Sequence, residues 1–324
     1  MRLPRTKLAD GSFEIDREKA IELIRYAADH GINYFDTALT YHNMHSEEVL
    51  GEALEGGYRE RVKVVTKQPF GFMETQADIR KNLEATLKKL RTDHIDVYLI
   101  HNIQAGLWAD IKKRDIIGEF EKFRQEGLIG SIAFSYHGEH DTWKDILDFY
   151  DWGMCQVQYN MLDTDHEVTT QAIREAGEKG CALVVMEPLR GGGLASAPSD
   201  VRAIYDEFDS QRSAADWAFR FVADHPEVST ILSGMTTLEQ LKQNIELFSR
   251  DDFGANKLGA QEKDILVRAK AAYESRVTVP CTACEYCLPC PQGVDIPGTF
   301  GKYNDGERFE AWDNAQRTYM FQTN

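Results

Sequence analysis

Short apolar runs alternate with amphipathic segments along most of this chain, and no other feature restricts its fold as tightly. The runs are 33-NYFDT, 62-VKVVTK, 95-IDVYLIHN, 129-IGSIAFS, 155-CQVQYN, 182-ALVVME and 229-STILSG. Most are continuously apolar, as suits parallel strands covered by helices. Asp16 opens REKAIELIRYAADHG as a candidate N-cap, and Gly31 closes it. Thr75 is placed to cap ADIRKNLEATLKKLR. Further helices are expected in 114-RDIIGEFEKFRQEG, 141-DTWKDILDFY, 166-HEVTTQAIREAGEKG, 212-RSAADWAFRFVADH and 237-TLEQLKQNIELF. Strand then helix, repeated this often, predicts a parallel α/β protein. No G-x-G-x-x-G follows the first strand, so the doubly wound nucleotide fold lacks its fingerprint. A repeat of roughly 25–35 residues suits a (β/α)8 TIM-type barrel of about 250 residues. Seven strands are visible where a barrel needs eight. The first strand is expected to be truncated, or reduced to residues 1–3. Closure would then come from a short strand within residues 1–8, or the chain would be a fragment of a longer protein.

The rhythm changes after residue 258. The expected organisation is a barrel over residues 1–258, then a helix and a small Cys-rich appendage over residues 259–324. Lys and Arg number 37 against 53 Asp and Glu, a net charge of −16. Such a surface repels phosphate backbones, so nucleic acid is excluded as a partner. No apolar run reaches the roughly 18 residues of a membrane span. The opening MRLPRTKLADGSFEID has basic residues with no apolar run behind them, unlike a secretory signal. Cys155 and Cys181 sit in apolar surroundings and read as core thiols. A reducing, cytoplasmic setting is expected.

In a barrel, chemistry sits where the strands end. The first run ends at Asp36, with Tyr41 five residues on; the next two end at Lys67 and His101. Singly, each has a plain structural role: a turn cap, a loop aromatic, a rim charge, a satisfied histidine. Jointly they make a proton-transfer set. A lysine beside a tyrosine favours phenolate, an aspartate keeps the lysine charged, and a histidine hydrogen-bonds a carbonyl oxygen.

Segment 31-GINYFDTALTYHNMHSEEVLGEAL resembles the signature of the aldo-keto reductase family, with 65-VTK and 98-YLIHN in register behind it. The resemblance covers about residues 1–250. It implies a nicotinamide cofactor, NADP or NAD, and a small carbonyl or alcohol substrate. It implies Tyr41 as general acid, tuned by Lys67 and Asp36, with His101 orienting the substrate. Ser135 and Gln156 match positions that hold the nicotinamide carboxamide, and Met186 stands where many members stack an aromatic ring. Pro188 and Leu189, in 187-EPLRGGG, match the segment over the pyrophosphate, although three glycines also read as a flexible loop. Gly234, Gln243 and Asn244 match the adenosine end. Gln240 stands where NADP-preferring members often carry arginine, so discrimination between cofactors is expected to be weak, with Lys242 the first substitute. Trp108 and Tyr136–His137 are candidates for the pocket mouth, with surface or core roles open.

Cys281, Cys284, Cys287 and Cys290 fall in 280-PCTACEYCLPCPQ with C-x2-C-x2-C-x2-C-P spacing. Two disulfides suit a reducing compartment poorly, and paired zinc knuckles are usually spaced further apart. Bacterial ferredoxins use C-x2-C-x2-C-x3-C-P, one residue longer in the last gap. The tail is similar to that of the family branch with a ferredoxin-like module. A 4Fe-4S cluster is the first reading, with zinc or empty thiols the alternatives. That branch has a second cysteine group, which this chain lacks before Asn324. A hydride carries two electrons and such a cluster one, so a cluster would be structural or serve a redox partner protein. The alternative reading is a non-catalytic or weakly catalytic redox-sensing or electron-transfer subunit on the same barrel, using an iron–sulfur tail.

Overall fold

The computed structural model describes residues 2–8, 12–138, 140–165, 168–281, 284 and 286–323. The chain divides into two compact units: Met1–Tyr159 with Asp163–Met186 and Pro226–Gly254, and Asn160–Leu162 with Glu187–His225 and Ala255–Asn324.

The first unit holds nine strands among the described residues: β1 (Arg5–Lys7), β2 (Phe13–Ile15), β3 (Tyr34–Asp36), β4 (Lys63–Pro69), β5 (Ile95–Ile103), β6 (Ile129–Tyr136), β7 (Met154–Gln158), β8 (Ala182–Met186) and β9 (Val228–Ile231). Strands β3 to β9 form one parallel sheet in chain order, curled as a partial barrel. All seven expected strands are present. The closed eight-stranded barrel is not: no strand among the described residues pairs with the free sides of β3 and β9. β1 lies within residues 1–8 as expected, but it pairs antiparallel with β2 in a separate hairpin. Met1, part of the expected reduced strand, lies outside the described residues. Irregular backbone runs along this side of the sheet instead. The Leu3 N–H donates to His42 Nε2 at 3.1 Å, beyond β3, and the Arg2 stem lies on Gly234, beyond β9.

The helices form where the pattern placed them, and their caps give the reason. The Asp16 carboxylate accepts from the Lys19 N–H ahead of Arg17–Asp29, and Thr75 and Asp78 make a reciprocal capping box ahead of Gln76–Leu90. The helix expected from residue 166 is Thr170–Glu178; residues 166 and 167 lie outside the described set. Inside the sheet Val65, Leu99, Ala133, Met154 and Val184 pack together, one from each of β4 to β8, with Tyr34 and Leu232 against them. This layer sets the height of everything above it.

The second unit is helical: Ser199–Asp206, Ala214–Ala223, Ala260–Ser275, Ile296–Phe309 and Trp312–Thr323. Its core joins Val201, Tyr205, Trp217, Ile265, Tyr273 and Phe309. Tyr205 stacks on Trp217 at 5.3 Å. No helix among the described residues is long and apolar enough to cross a membrane.

Candidate active site

Side chains two apart on a strand share a face. Counting two residues toward the C-terminus from the packed layer therefore gives the next layer. From Tyr34, Val65, Leu99, Ala133, Met154 and Val184 the count reaches Asp36, Lys67, His101, Ser135, Gln156 and Met186. From Leu232 it reaches Gly234. One apolar layer thus aims six candidate side chains and one bare backbone at the same rim.

The structure brings Asp36, Tyr41, Lys67 and His101, the four candidates for proton transfer, together. Lys67 Nζ donates to Asp36 Oδ1 and Oδ2 at 2.6 and 2.7 Å and to the Thr37 carbonyl at 2.8 Å. It also lies 5.1 Å from the centroid of the Tyr41 ring. The Tyr41 and His101 rings meet edge-on with centroids 5.9 Å apart. Lys67 is 1% exposed, so its charge acts where water screens little. Burial, then the charges of Lys67 and His137, drive His101 down to about 3 from an ordinary 6.5. His101 is therefore a neutral imidazole at pH 7, able to donate one hydrogen bond.

The β5–β6 register shifts between Ile100 and Ile103, and Asn102 takes a left-handed φ of 59°. At that bulge the Asn102 N–H donates to Ser135 Oγ at 2.7 Å. Gln156 Nε2 reaches Met186 Sδ at 3.6 Å, while Gln156 Oε1 is buried with no hydrogen-bond partner among the described residues. A buried acceptor without a donor is costly, and the NH2 of a carboxamide would supply one. Gln156 Oε1 thus offers an acceptor suited to an amide, with Ser135 and Met186 on the two neighbouring strands.

Toward the other expected contacts, Asn244 Nδ2 donates to Ser233 Oγ at 3.0 Å, and Gln243 Nε2 to Glu239 Oε1 at 3.3 Å. Pro188 and Leu189 belong to the second unit. There the Arg190–Ala195 segment is kinked, its helical backbone broken at left-handed Gly191 and Gly192. Gly193 serves packing: a Cβ on it would stand 2.9 Å from ring carbons of Phe309. Arg190 lies 3.5 Å from Asp305.

Two candidates for the pocket mouth are core residues. Trp108 is 3% exposed and packs edge-on against Phe149 at 5.2 Å. Tyr136 is fully buried against Trp143. His137 is half-buried and close enough to His101 to help lower its pKa. Sequence reasoning missed Glu47. It is fully buried, accepts from Thr66 Oγ1 at 2.7 Å and from Thr86, and burial raises its carboxyl above the ordinary range. It thus pins β4 one residue before Lys67. A threonine inside a buried strand was the available signal.

The four clustered cysteines do not gather as expected of metal ligands. Cys281, Cys284 and Cys287 are exposed and Cys290 is half-buried. No metal-holding group of three or more His, Cys, Asp or Glu occurs among the described residues. Thr282, Ala283 and Glu285 lie outside that set. Backbone N–H groups from Gln292, Val294 and Gly293 hold the Cys290 thiol below its usual range. As placed, these residues do not fit a cluster.

A parallel sheet with this layer at its C-terminal rim defines a class, and comparison agrees. Residues 6–258 match the model of the aldo/keto reductase family, and the chain belongs to that family. It is 23% identical over 269 residues to the uncharacterised oxidoreductase YqkF of Bacillus subtilis (strain 168), covering 72% of this chain and 84% of that one. It is 25% identical over 273 residues to a probable voltage-gated potassium channel subunit beta of Arabidopsis thaliana, covering 72% and 83%. Among solved structures, the holo form of aldo-keto reductase AKR11C1 from Bacillus halodurans matches with a TM-score of 0.66 at 22% identity, covering 83% of this chain and 96% of that one. An aldo-keto reductase from Klebsiella pneumoniae in complex with NADPH matches with a TM-score of 0.66 at 21% identity, covering 83% and 95%.

Proposed function

We propose that this chain is an NADP-dependent carbonyl reductase or alcohol dehydrogenase acting on small carbonyl or alcohol substrates. The observation that carries this reading is the buried Lys67, clamped by Asp36 and facing the Tyr41 ring. The complex with NADPH formed by the Klebsiella pneumoniae relative supports the choice of cofactor. When bound, reduced nicotinamide supplies a hydride to the carbonyl carbon. Tyr41 gives its phenolic proton to the carbonyl oxygen, yielding the alcohol and a phenolate. Lys67, held in place by Asp36, stabilises that phenolate. His101, neutral at pH 7, donates to the carbonyl oxygen and sets its direction. Neutrality removes it as the acid and leaves that role to Tyr41. Ser135 and Gln156 would hold the carboxamide, with the unpartnered Gln156 Oε1 as acceptor. No step passes through the cysteine tail.

The test is Tyr41→Phe. Turnover of an aldehyde panel should fall about 10²–10⁴-fold, the usual loss for a general acid. NADPH affinity by fluorescence titration should hardly change. Wild-type turnover in the variant would refute the assignment. The exposed thiols favour a second reading, a redox-sensing subunit, and absence of any turnover by the wild type with retained cofactor binding would favour it.

A further inference from the structure

Arg2 lies at the same rim as the site, and the chain just after it is pinned. Leu3 is 3% exposed, and its N–H is tied to His42 Nε2 at 3.1 Å. The Pro4 carbonyl accepts from the Asp16 N–H at 2.9 Å. With the chain pinned on that side, the Arg2 stem runs across Gly234. A Cβ on Gly234 would stand 2.8 Å from Arg2 Cδ, 2.9 Å from Cγ and 3.2 Å from Cβ. Only a glycine leaves room for the stem at this distance. Gly234 follows β9 at its C-terminal end, where parallel sheets bind ligands.

The two side chains that sequence weighed for a phosphate contact make contacts within the protein, as Arg2 does. Gln240 Oε1 accepts from the Thr236 N–H at 2.9 Å, and Lys242 Nζ lies 5.6 Å from the centroid of the Tyr26 ring. A planar guanidinium is the side chain best shaped to bind a phosphate through two hydrogen bonds. We propose that Arg2, laid across Gly234, binds a phosphate of the dinucleotide cofactor and fixes its affinity. This rests on the nicotinamide-dependent reading above.

NADPH and NADH are titrated by fluorescence into wild type, Arg2→Met, Arg2→Lys and Gly234→Ala, with melting curves for each. Methionine keeps an apolar stem on Gly234 and removes the charge. Arg2→Met should weaken binding about 10–100-fold, the scale of a charge-assisted hydrogen bond. Arg2→Lys should restore part of the loss, and Gly234→Ala should weaken binding by displacing the stem. Weakening of NADPH alone identifies the 2′-phosphate as the partner; equal weakening of both cofactors identifies the pyrophosphate. Unchanged affinity for both in a normally melting Arg2→Met protein would overturn the proposal alone. A wild type that binds neither cofactor would overturn the functional reading and this proposal with it.

Discussion

Replacing Asp36 by asparagine removes the counter-charge of a lysine that has nowhere else to place its own. The Lys67 side chain is 0% exposed and that of Asp36 9%. At a separation near 3 Å and an effective dielectric of about 20, their attraction is about 5–6 kcal/mol. Desolvation of both groups offsets much of that in the native protein. Losing one partner of a buried pair nevertheless costs about 3–5 kcal/mol, because the other charge stays buried. After the change Nζ keeps neutral acceptors, the Thr37 carbonyl at 2.8 Å and the new amide oxygen at position 36, but no counter-charge. Asp36→Asn should therefore lower unfolding stability by about 3–5 kcal/mol in urea. Removing both charges, in Asp36→Asn with Lys67→Met, should cost less than the single change, since no charge is left without a partner. The measurement is a double-mutant cycle by urea denaturation at neutral pH. A single-variant loss under about 1 kcal/mol, or a double variant equal to the sum of its parts, would refute a buried charged pair.

Three other outcomes are expected. His101 binds its proton only near pH 3, against about 6.5 in an unfolded chain, so the unfolded state carries the extra proton between those values. Stability should fall as pH drops from about 6.5 toward 3, by on the order of 4–5 kcal/mol over the full window, and His101→Gln should flatten that limb in acid titrations followed by circular dichroism. A Cβ on Gly51 would stand 2.4 Å from the Lys89 carbonyl oxygen; Gly51→Ala should therefore cost about 1–3 kcal/mol by overpacking, read as a lowered urea midpoint. Alkylation followed by mass spectrometry should label Cys281, Cys284 and Cys287 in the native protein, and Cys155 and Cys181 only after unfolding. Protection of the tail thiols together with stoichiometric iron or zinc after anaerobic purification would show that they gather around a metal.

What could be read from sequence followed the strength of the pattern. The runs holding Lys67, His101, Ser135 and Gln156 declared themselves because parallel strands are apolar on both faces, and a polar residue near the end of such a run stands out. The hairpin of β1 and β2 was invisible: RTK and FEI are short and largely exposed. So was the helix Ile296–Phe309. Pro297 sits at its start, and glycines interrupt it at 298, 301 and 306. Tertiary packing accounts for one of these, since a Cβ on Gly306 would meet the Trp312 ring at 2.8 Å. Trp108 and Tyr136 were ambiguous because a large aromatic residue suits a pocket wall and a core equally well. Glu47 escaped notice because its partners, Thr66 and Thr86, are distant in sequence.

The close approach of Gly193 to the Phe309 ring joins two segments that are far apart in sequence. The loop 187–195 and the helix that follows the cysteines share that contact, so they should open together in hydrogen exchange, with similar protection. Linkage then runs both ways. A ligand that orders the loop should shield the tail from proteolysis by the same free energy with which an ordered tail favours that ligand. Oxidation or alkylation of the tail thiols, if it loosens the helix, would be read out as weaker ligand binding at the loop without any change in a binding residue.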